Sequence, residues 1–273
     1  MIRAAVFALS VLLALPAAAG GPKADLWDRW QAHDETSAAR VDHAAWGRFL
    51  ARYLRVQPAG ANRLAYGRVT PADKAALAGY IAAMESVAVS GLKRPEQLAF
   101  WINLYNALTV RVVLDHWPVS SIRDIDISPG LFSDGPWGRK LATVEGEALS
   151  LDDIEHRILR PIWKDPRIHY AVNCASIGCP DLAPQPFTGE TADRMLTAAA
   201  ETYVNSPRGL RIDGDGKLIA SKIYDWFIDD FGGTEASVLA HLLRFAAPDL
   251  KARLAGRTGI DGHAYDWRIN AAP

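Results

Sequence analysis

The hydrophobic positions of the first half of the chain recur at helical spacing. Trp46, Phe49, Leu50, Tyr53 and Leu54 follow one another at i, i+3, i+4, i+7 and i+8, which predicts one buried face of an amphipathic helix. A second stripe contains Leu77, Tyr80, Ile81, Met84 and Val87, and it follows a Thr-Pro-Ala-Asp start at residues 70–73 that is typical of a helix N-terminus. The sequence therefore predicts two amphipathic helices before residue 90.

A third helix is predicted from Arg94 to about Asp115, and its apolar residues surround it on nearly every side. Such a helix belongs at the centre of a core. Asn103 and Asn106 interrupt its apolar surface one turn apart, so each amide needs a hydrogen-bonding partner. We expect them either to bond loop backbone or to line a cleft.

The second half of the chain contains shorter patterns. A box at Ser150 and Asp153 predicts the start of a helix that ends before Pro161, and further helices are predicted near residues 191–204 and after Thr234. Two apolar runs around Gly214-Asp215-Gly216 predict a hairpin, and residues 265–270 predict a last strand. The predicted class is α+β, with a helical N-terminal half around a buried central helix, packed on a small, mainly antiparallel sheet from the C-terminal half.

Residues 168–174 alternate as a strand does, with Ile168, Tyr170, Val172 and Cys174 on one face. This register places His169 and Asn173 on the other face. The alternation therefore predicts that His169 and Cys174 point in opposite directions and do not form a direct pair.

The N-terminus has the pattern of a secretory signal peptide. An Arg near the start, an apolar run over residues 4–15 and an Ala-x-Ala site predict a signal peptide over residues 1–19 and one globular domain over residues 20–273. The apolar run is shorter than the roughly 20 residues that span a bilayer. We therefore expect a periplasmic or secreted protein without a stable membrane anchor after cleavage.

Charge and cysteine content narrow the function classes. The chain has 30 Lys and Arg residues against 31 Asp and Glu residues, so nothing indicates nucleic acid, and a small molecule or a peptide is the expected partner. No cofactor and no metal site are predicted, since Glu155 and His156 are sequential and face different directions on a helix, and so cannot chelate together. The only two cysteines, Cys174 and Cys179, predict a disulfide in an exported protein.

Three segments together resemble the DUF547 family: the stretch Phe-Trp-Ile-Asn-Leu-Tyr-Asn-Ala at residues 100–107, Ile-Glu-His-Arg-Ile-Leu-Arg at residues 154–160, and the cysteine segment at residues 169–180. Residues 221–231 and 265–270 are similar to later blocks of the same family. The family has no assigned function. A looser likeness, at the level of the fold, is to transglutaminase and papain-like proteins.

Three interpretations of the cysteine segment remain open. In the first, the protein is a hydrolase or acyl transferase in which Cys174 or Ser176 attacks, His169 is the base, and Asn103 or Asn173 orients the base or donates to an oxyanion. In the second, Trp101, Tyr105, Asn106, His169 and Asn173 line a binding pocket without turnover. The third, a redox pair, is disfavoured because the cysteines lack the Cys-x-x-Cys spacing.

Overall fold

The computed structural model describes residues 21–58, 60–130 and 135–273, so the predicted signal peptide lies outside the described residues. The α-helices in this part of the chain are α1 (Ala44–Tyr53), α2 (Pro71–Glu85), α3 (Arg94–His116), α4 (Arg160–Trp163), α5 (Ala192–Val204), α6 (Ile223–Trp226), α7 (Glu235–Phe245) and α8 (Pro248–Leu254). Short 3₁₀ helices cover Asp28–Gln31, Tyr66–Arg68, Val89–Gly91, Ile122–Asp124, Pro166–Tyr170 and Ile228–Phe231, and a π-helical segment covers Asp153–Leu159.

The strands are short and form three separate small sheets. They are β1 (Leu54–Arg55), β2 (Arg63–Leu64), β3 (Ala142–Val144), β4 (Glu147–Leu149), β5 (Leu210–Ile212), β6 (Leu218–Ser221) and β7 (Gly262–Ala264). β1 pairs with β2, β3 with β4 and β5 with β6, all antiparallel, and β7 joins β6 in parallel. The predicted α+β class is confirmed, and the hairpin around residues 214–216 is present, with Leu210 opposite Ala220.

The prediction of a last strand at residues 265–270 is wrong. The strand that forms is β7, which ends at Ala264, and the following residues make only single bridges, from Arg268 to Ser121 and from Ile269 to Ser176. These bridges tie the chain end to two distant loops instead of extending the sheet. One of those loops carries the cysteines.

The central helix is confirmed. All but a few residues of α3 are buried, and Phe100, Ile102 and Leu104 are fully enclosed. Its main neighbours are α2, the π-helical segment and α5. A second buried cluster, built from α5, β5, β6 and α7, adjoins it and contains Tyr170, Tyr203 and Tyr224.

Residues 168–174 do not form the predicted strand. Pro166–Tyr170 is a 3₁₀ helix. Asp165 caps its N-terminus, and the Asp165 side chain accepts a hydrogen bond from Arg167 N–H. Every residue from 168 to 173 is buried. The segment therefore has no alternation of buried and exposed faces, and His169 and Cys174 have separate partners, Asp230 for the first and Tyr265 for the second.

Asn103 and Asn106 each bond loop backbone, as one of the two interpretations expected. Asn103 Nδ2 donates to Phe187 O at 2.8 Å, and Phe187 N–H donates to Asn103 Oδ1 at 3.0 Å. Asn106 Nδ2 donates to Ala171 O at 2.9 Å, and its Oδ1 accepts from Asn173 N–H at 2.8 Å. Two buried amides thus join α3 to the cysteine segment and to the loop that follows it.

Asn103→Leu is expected to lower the free energy of unfolding by at least about 2 kcal/mol. Each of the two backbone groups of Phe187 that loses its partner costs about 1–3 kcal/mol when buried. Denaturant unfolding of both proteins measures the difference. Gln185→Leu, at an exposed amide two residues before Phe187, is the matched control and should stay within about 0.5 kcal/mol; equal midpoints for the two variants would contradict the structural role of Asn103.

In the part of the chain that the structure describes, no helix is both long and apolar enough to cross a membrane.

Candidate functional site

A pocket of about 680 Å³ lies beside the cysteine segment. Its volume is within the range of pockets that hold small molecules. Besides Tyr105, five aromatic side chains line the pocket, together with several titratable groups. The aromatic residues are Trp137, Trp226, Phe227, Tyr265 and Trp267, and the titratable ones include Tyr105, Asp152, Glu155, His156, His169, Cys174 and Cys179.

The π-helical segment places two of these groups, Glu155 and His156, on the pocket. Ser150 and Asp153 form the predicted box, with Asp153 N–H donating to Ser150 Oγ at 3.1 Å. The wider turn that follows, seen in the hydrogen bond from Arg160 N–H to Glu155 O, changes the angle between successive side chains. Glu155 and His156 therefore both face the pocket, whereas an ordinary helix would separate them. π-Helical turns of this kind are frequent at functional sites.

His169 lies in a buried cluster of charges. Its Nε2 is 2.6 Å from Asp230 Oδ2, its Nδ1 is 3.7 Å from Glu155 Oε1, and its ring stacks on Phe227 at 4.3 Å. Arg160 Nε donates to the same Asp230 oxygen at 2.5 Å. Two carboxylates, Glu155 and Asp230, thus face the His169 imidazole and the Arg160 guanidinium.

The pKa values in this cluster follow from that arrangement. Burial alone would lower the pKa of His169, but its hydrogen bonds to Asp230 and Glu155 outweigh burial and raise it. Burial would raise the pKa of Glu155 and Asp230, but the surrounding cations and histidines lower each to about 2. Because both ring nitrogens of His169 face carboxylates, the geometry favours the protonated imidazole and gives His169 partners other than Cys174.

His156 is held in one neutral form. Arg160 donates to its Nδ1 at 2.9 Å, so the ring proton sits on Nε2, which is 3.6 Å from Asp152 Oδ1. Burial lowers the pKa of His156 to about 4, and the charge of Arg160 acts in the same direction. At neutral pH this imidazole is therefore uncharged, and its Nε2 lies close to the Asp152 carboxyl group without a direct hydrogen bond.

Asp152 has the titration range of a general acid or base. Burial raises the pKa of its carboxyl to about 6, and the negative charges of Glu155 and Asp153 add to this effect. Its side chain is nevertheless half-exposed on the pocket wall. A carboxyl group with a pKa close to neutral can both donate and accept a proton under ordinary conditions.

Cys174 is surrounded by hydrogen-bonding groups. Its Sγ lies 3.0 Å from Tyr265 Oη and 3.2 Å from Ser176 Oγ, and these two oxygens are 3.0 Å apart. Burial would raise the pKa of the Cys174 thiol, but hydrogen bonds from Cys179, Ser176 and Tyr265 outweigh burial and lower it. Because Ser176 donates its hydroxyl proton to Tyr265, the Tyr265 hydroxyl is the group free to donate to the sulfur, and a donated hydrogen bond favours the thiolate.

Both cysteines are free thiols, so the expected disulfide is not formed in this structure. The sulfur of Cys179 instead accepts a hydrogen bond from Cys174 N–H at 3.0 Å. Burial and the neighbouring Cys174 hold the pKa of Cys179 well above its usual range. Oxidation of the pair stays a prediction.

The other predicted site residues have structural positions. Ser176 is buried and bonded to Tyr265 and Cys174, so it supports the sulfur and is not placed as a nucleophile. Trp101 packs edge-on against Trp30 at 5.0 Å within the core. Asn103, Asn106 and Asn173 bond backbone, the last donating to Pro180 O at 2.7 Å. Of the five residues predicted to line a binding pocket, Tyr105 and His169 are among the pocket's lining residues.

Several residues of the site escaped the sequence reasoning. Asp152, Glu155 and Arg160 lie in or beside the 154–160 block, and Asp230 and Tyr265 lie in the later blocks that carried the family resemblance. The family resemblance of those blocks was the sequence signal that could have pointed to these residues. In the sequence, Glu155 and His156 stand out as residue types that bind metal ions. Among the described residues, no group of three or more His, Cys, Asp or Glu side chains is arranged to hold a metal ion.

The fold and the site together define an α+β protein with a thiol at the floor of an aromatic pocket. Residues 89–204 match the family described as "Protein of unknown function, DUF547". The chain thus carries a DUF547 domain, and the resemblance is confirmed over α3, the π-helical segment and the cysteine segment. No curated protein and no solved structure matches the chain.

Proposed function

We propose that the protein is an exported hydrolase or acyl transferase that uses Cys174 as its nucleophile on a small-molecule or peptide substrate. The observation that carries the proposal is the environment of Cys174: its sulfur faces the pocket, and two hydroxyl groups lie within 3.2 Å of it. Nucleophilic cysteines act as thiolates, and donors of this kind favour the thiolate.

The proposed reaction begins with attack of the Cys174 thiolate on a substrate carbonyl carbon. The resulting tetrahedral intermediate collapses to a thioester on Cys174, and the leaving group takes a proton from the pocket wall. Asp152 is the proposed proton donor because the pKa of its carboxyl is about 6 and His156 Nε2 lies beside it. A water molecule or an acceptor nucleophile then cleaves the thioester, and Asp152 accepts the proton.

The residues that orient the proposed acid are fixed by the ion cluster. Arg160 joins His156 to Asp230, and Asp230 also holds His169. This support replaces the Cys-His pair of papain-like enzymes, to which the fold-level likeness in the sequence pointed. In our proposal His169 is therefore a positioning residue.

The experiment screens esters, thioesters and amides with the mature chain and records intact mass after a short incubation. We expect an acyl adduct that maps to Cys174, and its loss in Cys174→Ala. Asp152→Asn should lower the rate of formation or of hydrolysis of the adduct by about 10²-fold or more, as removal of a general acid or base does. Asp215→Asn, at an exposed hairpin turn, is the matched control.

A second candidate function is binding without turnover. Its supporting observation is that the partners of Cys174 Sγ are hydroxyl and thiol groups rather than an imidazole, while aromatic side chains dominate the wall. Ligand-induced quenching of tryptophan fluorescence without any adduct on Cys174 would favour this candidate over the enzyme. Both candidate functions predict cleavage of the signal peptide after Ala19. N-terminal sequencing of the exported protein tests this cleavage.

A further inference from the structure

The two thiols lie in contact at the end of a tight turn. Ala175 adopts φ +57° and Cys179 N–H donates to Ser176 O at 3.2 Å, which brings Cys179 Sγ to 3.0 Å from Cys174 N. We infer that Cys174 and Cys179 form a dithiol pair that exchanges with a disulfide-bearing small molecule or peptide in the pocket. This inference rests on the proposed function in one respect, the role of Cys174 as the nucleophile.

The two cysteines differ as an attacking and a resolving thiol do. Cys174 is partly exposed, and two hydroxyl oxygens lie within 3.2 Å of its sulfur. Cys179 is buried, with 3% of its surface exposed. The pKa of Cys174 is lowered and that of Cys179 is raised, in agreement with this division. The more acidic, accessible thiol attacks first, and the protonated one reacts within the pair.

The hydroxyl groups also distinguish a reactive pair from a purely structural bridge. A structural disulfide needs two sulfurs at the right distance and a permissive backbone. It does not need two hydroxyl groups around one sulfur, one from Ser176 nearby in sequence and one from Tyr265, 91 residues away. In Cys-x-x-Cys proteins a helix N-terminus lowers the pKa of the attacking thiol; here Ser176 and Tyr265 supply the hydrogen bonds instead.

The pocket has room for a disulfide substrate. Its volume is about 680 Å³, and Trp226, Tyr265 and Trp267 pack on one another at 4.7–5.6 Å along the wall. Such a wall suits a flat or apolar group attached to the disulfide. Cys174 lines the same pocket, so a bound disulfide meets the attacking sulfur.

The reaction balances without a further oxidant. The Cys174 thiolate attacks one sulfur of the substrate disulfide, forming a mixed disulfide and releasing the first substrate thiolate. Cys179 then loses its proton and attacks the Cys174 sulfur, which forms the Cys174–Cys179 disulfide and releases the second substrate thiolate. The substrate disulfide gains two electrons, and the protein dithiol loses two.

The test uses the reduced mature chain and 5,5′-dithiobis(2-nitrobenzoate), an aromatic disulfide whose released thiolate is yellow. The chain has no other cysteine, so all released thiolate comes from this pair, and the intact mass distinguishes a protein disulfide from two retained adducts. We expect two equivalents of released thiolate from the parent protein and a protein disulfide by mass. Cys179→Ala should release one equivalent and retain the aromatic adduct on Cys174, and Cys174→Ala should react at least about tenfold more slowly.

A measurement on the parent protein keeps the inference testable if a variant does not fold. Iodoacetamide at neutral pH, followed by peptide mapping, should modify Cys174 at least about tenfold faster than Cys179. The oxidised protein should also be reduced by excess glutathione, whereas structural disulfides resist it.

The outcomes separate this inference from the proposed function. If Cys174 reacts fast but the parent protein keeps an aromatic adduct on each cysteine instead of forming the Cys174–Cys179 disulfide, or if glutathione leaves the oxidised protein unchanged, the dithiol exchange is overturned and the nucleophile stands. If both cysteines react slowly and equally, the nucleophilic role of Cys174 fails together with the exchange.

Discussion

Replacing His169 with alanine is expected to lower the free energy of unfolding by about 3–5 kcal/mol, because removing one partner of a buried ion pair leaves an uncompensated charge. The imidazole is 3% exposed and lies between Asp230 and Glu155. Its loss leaves these carboxylates with Arg160 as the nearest fixed cation and removes the ring that stacks on Phe227. Denaturant unfolding measures the difference. His33→Ala, at an exposed histidine, is the matched control and should change stability by less than about 0.5 kcal/mol.

The pH dependence of this loss identifies the charge on His169. The pKa of His169 is raised in the folded protein, so its stabilising contribution is complete below the unfolded value of 6.5 and is lost as the pH rises through the folded value. Glu155 and Asp230 have lowered pKa values of about 2 and remain ionised throughout. The difference in stability between the parent and His169→Gln should therefore shrink as the pH rises above the unfolded value of 6.5 and through the raised folded value. A difference that grows with pH would mean that His169 is neutral in the folded protein.

The helices could be predicted from the sequence because their signals are local. Thr70 caps α2 by accepting from Asp73 N–H, and Thr234 caps α7 by accepting from Ser237 N–H, as the residue spacings indicate. The apolar surface of α3 on all sides likewise predicts burial, whatever the partners are. These features need no knowledge of distant residues.

The cysteine segment was misread because local alternation is uninformative where every side chain is buried. Ile168 and Tyr170 alternate with His169 as in a strand, but His169 is also buried, and what makes its burial possible is Asp230, 61 residues away. A sequence pattern does not contain that contact. The same applies to Tyr265, which reaches Cys174 across 91 residues.

The orientation of Glu155 and His156 could not be predicted for a different reason. A helical wheel assumes 3.6 residues per turn, and the π-helical turn of Asp153–Leu159 breaks that assumption. The wheel separates the two side chains, whereas the structure brings His156 Nδ1 to 4.0 Å from Glu155 Oε1. The chemistry of the site thus depends on a local irregularity and on two long-range contacts.

Tyr265→Phe tests directly how the site controls the reactivity of Cys174. The substitution removes the hydroxyl that lies 3.0 Å from Cys174 Sγ but keeps the ring that packs on Trp226 and Trp267. A hydrogen bond to a charged group contributes about 1.5–3 kcal/mol, which corresponds to an increase of about 1–2 in the pKa of the Cys174 thiol. The pH at which alkylation by iodoacetamide reaches half its maximal rate should rise by the same amount.

The two rate profiles should cross. Near neutral pH the variant reacts about 3- to 10-fold more slowly, since the fall in thiolate fraction exceeds the gain in nucleophilicity of a more basic sulfur. At high pH, where both proteins are ionised, the more basic thiolate of the variant reacts faster. Tyr53→Phe removes a tyrosine hydroxyl that donates to Asp73, far from the pocket in sequence, and should leave the profile of Cys174 unchanged. Superimposable profiles for Tyr265→Phe and the parent would show that the Tyr265 hydroxyl does not stabilise the thiolate, and the lowered pKa of Cys174 would then depend on Ser176 and Cys179.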